Sequence, residues 1–80
     1  MAETITTSQL IDARGMACPG PLMSLIGAIR QAQVGDLLEV WSTDAGSATD
    51  IPAWVAKARH ELVEVADVGG YTRFVVRKAR

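Results

Sequence analysis

Pro19-Gly20-Pro21 constrains this chain more tightly than any other segment. Proline locks its own φ and has no N–H, so it suits the first turn of a helix, where that N–H would lack an intrahelical partner. The residue before a proline is pushed out of the helical region into extended backbone. The chain must therefore enter the segment extended and leave it helical. Two prolines around one glycine make the turn stiff. The flanking patterns agree. Residues 4–13 alternate loosely around Ile5, Leu10 and Ile11 and read as a first strand, broken by Arg14-Gly15. Leu22, Leu25, Ile26 and Ile29 recur at i, i+3, i+4 and i+7, one face of a helix that should run to about Gln33 and stop at Gly35.

Residues 36–43 read as a second strand, with Leu37, Leu38, Val40 and Trp41 supplying apolar groups to both faces, the pattern of a strand buried on both sides. Residues 44–49 form a small-residue loop. A second helix is expected from about Asp50-Ile51-Pro52, with Asp50 as N-cap, Pro52 in the first turn, and a stripe of Ile51, Val55, Ala58 and Leu62 beside Trp54. Residues 62–68 and 71–77 are strand candidates, and Gly69-Gly70 between them marks a hairpin. The order β-α-β-α-β-β predicts an α/β (α+β) two-layer sandwich: a mixed four-stranded sheet with two helices on one face. The first strand–helix–strand unit should be a right-handed parallel crossover and the last two strands antiparallel.

Eighty residues, spanning 1–80, suit a single domain with a thin core. Hydrophobic residues make up 49% and charged ones 21%, a globular balance. A net charge of −1 lacks the basic excess that binding to nucleic acid or an anionic membrane requires. Met1-Ala2-Glu3-Thr4 is acidic and polar, without the apolar stretch of a secretory signal. No apolar run approaches the roughly 18–20 residues that span a bilayer. A soluble, cytoplasmic protein is expected.

The chain has one cysteine, Cys18, and one histidine, His60. One cysteine makes no internal disulfide, no Cys-x-x-Cys pair and no thiolate zinc site. With a single histidine, a metal site of the usual ligand type is not expected either, nor any cofactor. Cys18 stands directly before Pro19, so it is expected to be the helix N-cap, with its sulfur at the positive end of the helix. Gly20 and Leu22 then supply the nearest N–H donors, and Gly20, lacking a side chain, leaves room for a second sulfur atom. Such a site lowers a thiol pKa. Arg14 would add positive charge if the turn folds back. The thiolate is the form that attacks a persulfide and takes its outer sulfur. The bland alternative is a buried small hydrophobe; a helix N-terminus, being a surface feature, favours the reactive reading.

Other polar residues have structural roles to weigh against functional ones. Asp12 could orient the Arg14-Gly15 turn, though capping the strand end is the simpler role. Asp44 could face Cys18 across the sheet edge or be a solvated loop residue. His60 sits where the second helix should end, and a partly charged cap there is favoured over a general base. Trp41 and Trp54 could stack on a base, but packing is the commoner use. Arg73, Arg77 and Lys78, with Arg80, form a basic C-terminal run: either a charged guard on an edge strand or a docking surface for an acidic partner.

Ile11-Asp12-Ala13-Arg14-Gly15-Met16-Ala17-Cys18-Pro19-Gly20-Pro21 resembles the motif of the TusA/SirA-like sulfurtransferase, or sulfur-carrier, family: a hydrophobic residue, Asp, a spaced Gly, then Cys-Pro-x-Pro. The resemblance continues through Ser42-Thr43-Asp44, Asp50-Ile51-Pro52, His60-Glu61-Leu62-Val63 and residues 73–78, and so covers nearly the whole chain. It implies a two-layer α/β sandwich and a persulfide on Cys18, with Arg14, Gly15, Pro19, Gly20 and Pro21 forming the supporting turn. It also implies partners. A cysteine desulfurase or rhodanese-like protein would donate sulfur, and a DsrE/TusD-like protein or a sulfur-oxidation complex would accept it. Members serve tRNA thiolation, cofactor synthesis or sulfur oxidation; where the tRNA-thiolation type carries Glu, this chain has Gly20, which leans towards sulfur oxidation. An RNA-binding module and a redox-sensing domain, with sulfenic acid or glutathione on Cys18, are the competing functions for the same fold.

Overall fold

The computed structural model describes residues 7–17 and 19–80. Six elements follow in the expected order: β1 (Gln9–Asp12), α1 (Gly20–Gln31), β2 (Leu37–Ser42), α2 (Ser47–Lys57), β3 (Glu61–Asp67) and β4 (Thr72–Arg77). The part of the first strand expected over residues 4–6 lies outside the described residues.

The strands form one sheet in the order β1-β2-β4-β3. β1 runs parallel to β2, and β4 is antiparallel to both of its neighbours, β2 and β3. The register aligns Ile11, Val40 and Phe74 in one row and Leu38 with Val76 in the next. Because side chains alternate across a sheet, these rows share a face. Leu25 and Ile29 of α1 and Ile51 and Val55 of α2 pack onto that face and are buried with it. Both helices therefore cover the same side, and the fold is the expected two-layer α+β sandwich.

Four expectations about local structure need correction. α2 starts at Ser47, not near Asp50, and its cap position is Gly46. The amides of Ser47, Ala48 and Thr49 bond three residues back, to Asp44, Ala45 and Gly46, and the Asp44 carboxylate also accepts from the Ser47 amide at 3.2 Å. Asp44 thus opens the helix, Asp50 falls in its first turn, and Pro52 lies inside it. At the other end, Arg59 adopts a left-handed conformation (φ 64°), the His60 amide bonds the Val55 carbonyl and the Arg59 amide bonds that of Ala56. This is a Schellman stop with arginine where glycine is usual. It places Leu62 in β3, outside the helix stripe.

α1 ends at Gln31, two residues early, because Lys78 reaches across from the end of β4. Its ammonium donates to the carbonyls of Ile29 and Ala32, both at 2.7 Å. Gly35, with φ 97°, serves the following turn, closed by the Asp36 amide on the Gln33 carbonyl. β2, finally, is buried on one face only: Leu38, Val40 and Ser42 are buried, whereas Leu37, Glu39 and Trp41 are half-buried. The outer face is covered by its own long side chains. Arg73 bridges Glu39 (2.9 Å) and Glu64 (3.1 Å), and Trp41 Nε1 donates to Glu39 at 2.6 Å.

Candidate functional site

Cys18 lies outside the described residues. The segments on either side of it approach from β1 and from α1. β1 delivers the chain to Ala13, which is fully buried and donates its amide to the Trp41 carbonyl at 2.9 Å. Residues 13–16 make a tight turn, closed by the Met16 amide on the Ala13 carbonyl. Its third residue is Gly15 at φ 85°, a conformation that a side chain disfavours. The Gly15 amide donates to Thr43 Oγ1 at 2.9 Å.

Asp12 does orient this turn, in preference to the strand-end role. Its carboxylate accepts from the Arg14 amide (3.2 Å), Nε (2.9 Å) and Nη2 (2.8 Å). The Arg14 guanidinium beside it holds the Asp12 carboxyl below the usual carboxylate range. The same guanidinium lies 4.9 Å over the Trp41 ring and 5.3 Å from that of Tyr71, two rings themselves 4.8 Å apart. Asp12 and Trp41 share a row on the helix-free face, so Arg14 is committed to that side and its charge is offset. The charge expected of it at the sulfur concerns Cys18 and so lies outside the described residues.

The far side of the cysteine also departs from expectation. The cap position of α1 is Pro19, one residue later than Cys18. The Gly20 amide, expected to face the sulfur, donates to the Ala17 carbonyl at 2.8 Å, and the Met23 amide to that of Pro19 at 2.8 Å. The donation expected from Leu22 to the sulfur involves Cys18 and so lies outside the described residues. Pro21 is buried under the first turn. The space beside Gly20 is taken by Met16: a Cβ on residue 20 would stand 3.2 Å from Met16 Cβ and 3.5 Å from its sulfur. Met16 Sδ in turn receives a long contact, 3.9 Å, from Ser24 Oγ. The residues before and after Cys18 are thus packed on one another. Apolar side chains stand exposed around them: Met16 on the turn, Met23 at the start of α1 and Leu10 on β1. An open groove runs between Leu10 and Met23, and the described residues that line it are uncharged.

The other candidates are dispersed. Arg73 and Arg77 lie on the helix-free face, and Lys78 caps α1 on the other. Arg73 is held by Glu39 and Glu64, and Arg77 faces Glu61 at 3.6 Å while remaining about half exposed. His60 accepts from the Ala79 amide at Nδ1 (3.1 Å), with its ring 5.6 Å from that of Trp54. Burial first, then Lys78 and Arg80, pushes its pKa below the ordinary value, so it is a neutral acceptor and not the charged cap expected. Thr43 was not singled out as a site residue in the sequence; its role depends on a side-chain contact with the Gly15 amide, 28 residues away, that no local pattern announces. Among the described residues no cluster of histidine and acidic side chains could hold a metal, and no helix is long and apolar enough to cross a membrane.

Comparison with known proteins agrees along nearly the whole chain. The sequence profile described as "Sulfurtransferase TusA" matches residues 9–78. A putative sulfur carrier protein of Archaeoglobus fulgidus is 54% identical over 71 residues, 89% of this chain and 97% of the relative. The sulfur carrier protein TusA of Pseudomonas aeruginosa is 36% identical over 75 residues, 94% of this chain and 95% of the relative. The crystal structure of a SirA-like protein from Desulfitobacterium hafniense superposes with a TM-score of 0.78 at 18% identity, covering 90% of this chain and 99% of that one, a likeness of fold.

Proposed function

Because this chain belongs to the TusA family of sulfurtransferases, a family of sulfur carriers, we propose that it carries sulfur as a persulfide on Cys18 and relays it between two partner proteins. The observation that supports this most is the clamped turn. Residues 13–17 are tied to β1, to β2 and the residue after it, and to α1, and they lead the only cysteine of the chain to the start of a helix. A thiol there gains from the helix dipole and is poised as thiolate.

Loading is a displacement at sulfur. The Cys18 thiolate attacks the outer sulfur of a donor persulfide, R–S–S–H; a Cys18 S–S bond forms, the donor S–S bond breaks, and the donor leaves as R–S⁻. The proton stays on the transferred sulfur. Unloading is the same step run with an acceptor thiolate as attacker. No oxidant is consumed. With one cysteine in the chain there is no resolving thiol, so the sulfur stays until an outside thiol removes it. A cysteine desulfurase or rhodanese-like protein is the proposed donor. A DsrE/TusD-like protein or a sulfur-oxidation complex is the proposed acceptor, and the cytoplasm the proposed compartment. The exposed Met16, Met23 and Leu10 suit docking, since methionine adapts to more than one partner surface. Of Arg73, Arg77 and Lys78, Arg77 is the one best placed to meet an acidic partner: its contact with Glu61 is long (3.6 Å) and about half exposed, whereas Arg73 and Lys78 hold shorter internal contacts.

Intact-protein mass spectrometry tests the reading. Incubated with a persulfide donor, the protein should gain the mass of sulfur on Cys18, dithiothreitol should remove it, and Cys18→Ser should gain nothing. A wild-type protein left unmodified by several donors, thiosulfate with a rhodanese included, would sink the proposal. Sulfenic acid or glutathione adducts in place of persulfide would favour a redox sensor.

A further inference from the structure

Thr43 follows directly on the last residue of β2, in an exposed stretch where a threonine would ordinarily be solvated. Instead its hydroxyl accepts from the amide of Gly15, across 28 residues of sequence. That amide belongs to the one residue of the turn with a positive φ, so the bond fixes the orientation of a peptide that the backbone of glycine would otherwise leave free to rotate. Met16 comes next, and its side chain packs on Gly20 and Ser24 at the start of α1. A continuous path therefore leads from the Thr43 hydroxyl, through Gly15 and Met16, to the helix that follows Cys18. The Asp12–Arg14 pair holds the same turn from the helix-free face, through the Arg14 amide and guanidinium; Thr43 holds the next amide along, that of Gly15.

From this geometry we infer that Thr43 is a positioning residue for Cys18: its hydroxyl locks the Gly15 peptide and so fixes the path along which the chain presents the thiol. The inference rests on the carrier reading for its purpose, since displacement at sulfur requires an aligned attack and small misplacements are costly in rate. It does not rest on that reading for its test. Thr43→Val keeps the shape and removes the acceptor; Thr43→Ser restores the hydroxyl without the methyl.

Three measurements on the full chain decide it: exchange of the Gly15 amide proton by NMR, the rate of Cys18 alkylation by iodoacetamide at fixed pH, and the rate of sulfur loading from a small persulfide. In Thr43→Val the Gly15 amide should exchange faster, and alkylation and loading should each fall by about fivefold or more. Thermal unfolding should stay within a few degrees of wild type. Thr43→Ser should return all three to within about twofold of wild type. Thr43→Val that alkylates and loads at the wild-type rate overturns the assignment, and so does a slow Thr43→Val that serine fails to rescue. If Thr43→Val does not fold, Thr43→Ala against Thr43→Ser gives the same contrast. A wild-type protein that alkylates at Cys18 yet accepts no sulfur would end the carrier reading; the role of Thr43 would still be judged, on exchange and alkylation.

Discussion

At position 20 a side chain larger than hydrogen would crowd Met16, with a Cβ 3.2 Å from Met16 Cβ. A Cβ there would press on Met16 Cβ, an atom tied to backbone, so the strain cannot be relieved by a rotamer change alone. Gly20→Val should therefore cost about 1–2 kcal/mol in urea unfolding and slow sulfur loading of Cys18. Loading at the wild-type rate would mean that the flanks of the cysteine need not be held together. The reading of Gly20 as open space for a second sulfur came from the residue type alone; which neighbour fills that space is set by the turn at Gly15, which sequence does not display. His60 shows a similar reversal. Its pKa is lowered by burial, so between the folded value and the ordinary value of about 6.5 the unfolded chain binds the proton and the folded one does not. Stability from this group is complete above about pH 6.5 and is lost as the pH falls through the folded pKa. Urea unfolding followed between pH 7.5 and about pH 5 should show that loss, and His60→Asn should flatten it.

Elements were more legible than their ends. The order, the Gly69-Gly70 hairpin and the pairing of β1 with β2 all follow from periodicity and turn residues, and all are found. The misplaced boundaries share a cause: each is set by a contact distant in sequence or by a residue of the wrong usual type. Lys78 ends α1 from 46 residues away. Replacing it with methionine keeps the aliphatic stem and removes two charged hydrogen bonds; Lys78→Met should lower stability by about 1–2 kcal/mol. In thermal unfolding of a domain this size that is a drop of roughly 5–15 °C. Arg59 ends α2 in a conformation that glycine adopts without steric cost. Arg59→Gly should raise stability by about 0.5–1 kcal/mol, read in the same melt; a fall would mean that the arginine side chain contributes more than its backbone strain removes.

On the scale of the whole molecule, the two faces of the sheet are covered by different means. Helices cover one; on the other, Glu39, Glu64 and Arg73 lie across the strands, and Val75 beneath them is as buried as Phe74 on the helix side. This layer separates the basic residues that looked alike in the sequence. Arg73→Glu would set a third carboxylate against Glu39 and Glu64 and should cost about 2–4 kcal/mol, so a transfer defect in that variant says nothing about docking. Arg77→Glu should leave stability within about 0.5 kcal/mol. If Arg77 guides an acidic partner, this variant should slow transfer from a protein donor severalfold and flatten its salt dependence, with loading from a small persulfide unchanged. The order of the strands has a consequence for how the molecule is made. β4 is the last element of the chain but sits between β2 and β3, and it contributes Phe74 and Val76 to the core. A growing polypeptide that has just left the ribosome as far as the Gly69-Gly70 turn holds β3 with no neighbour and β2 with one edge bare. The turn that precedes the cysteine, anchored to β2 through Ala13, is thus synthesised early but gains its full support only when β4 slides into the middle of the sheet.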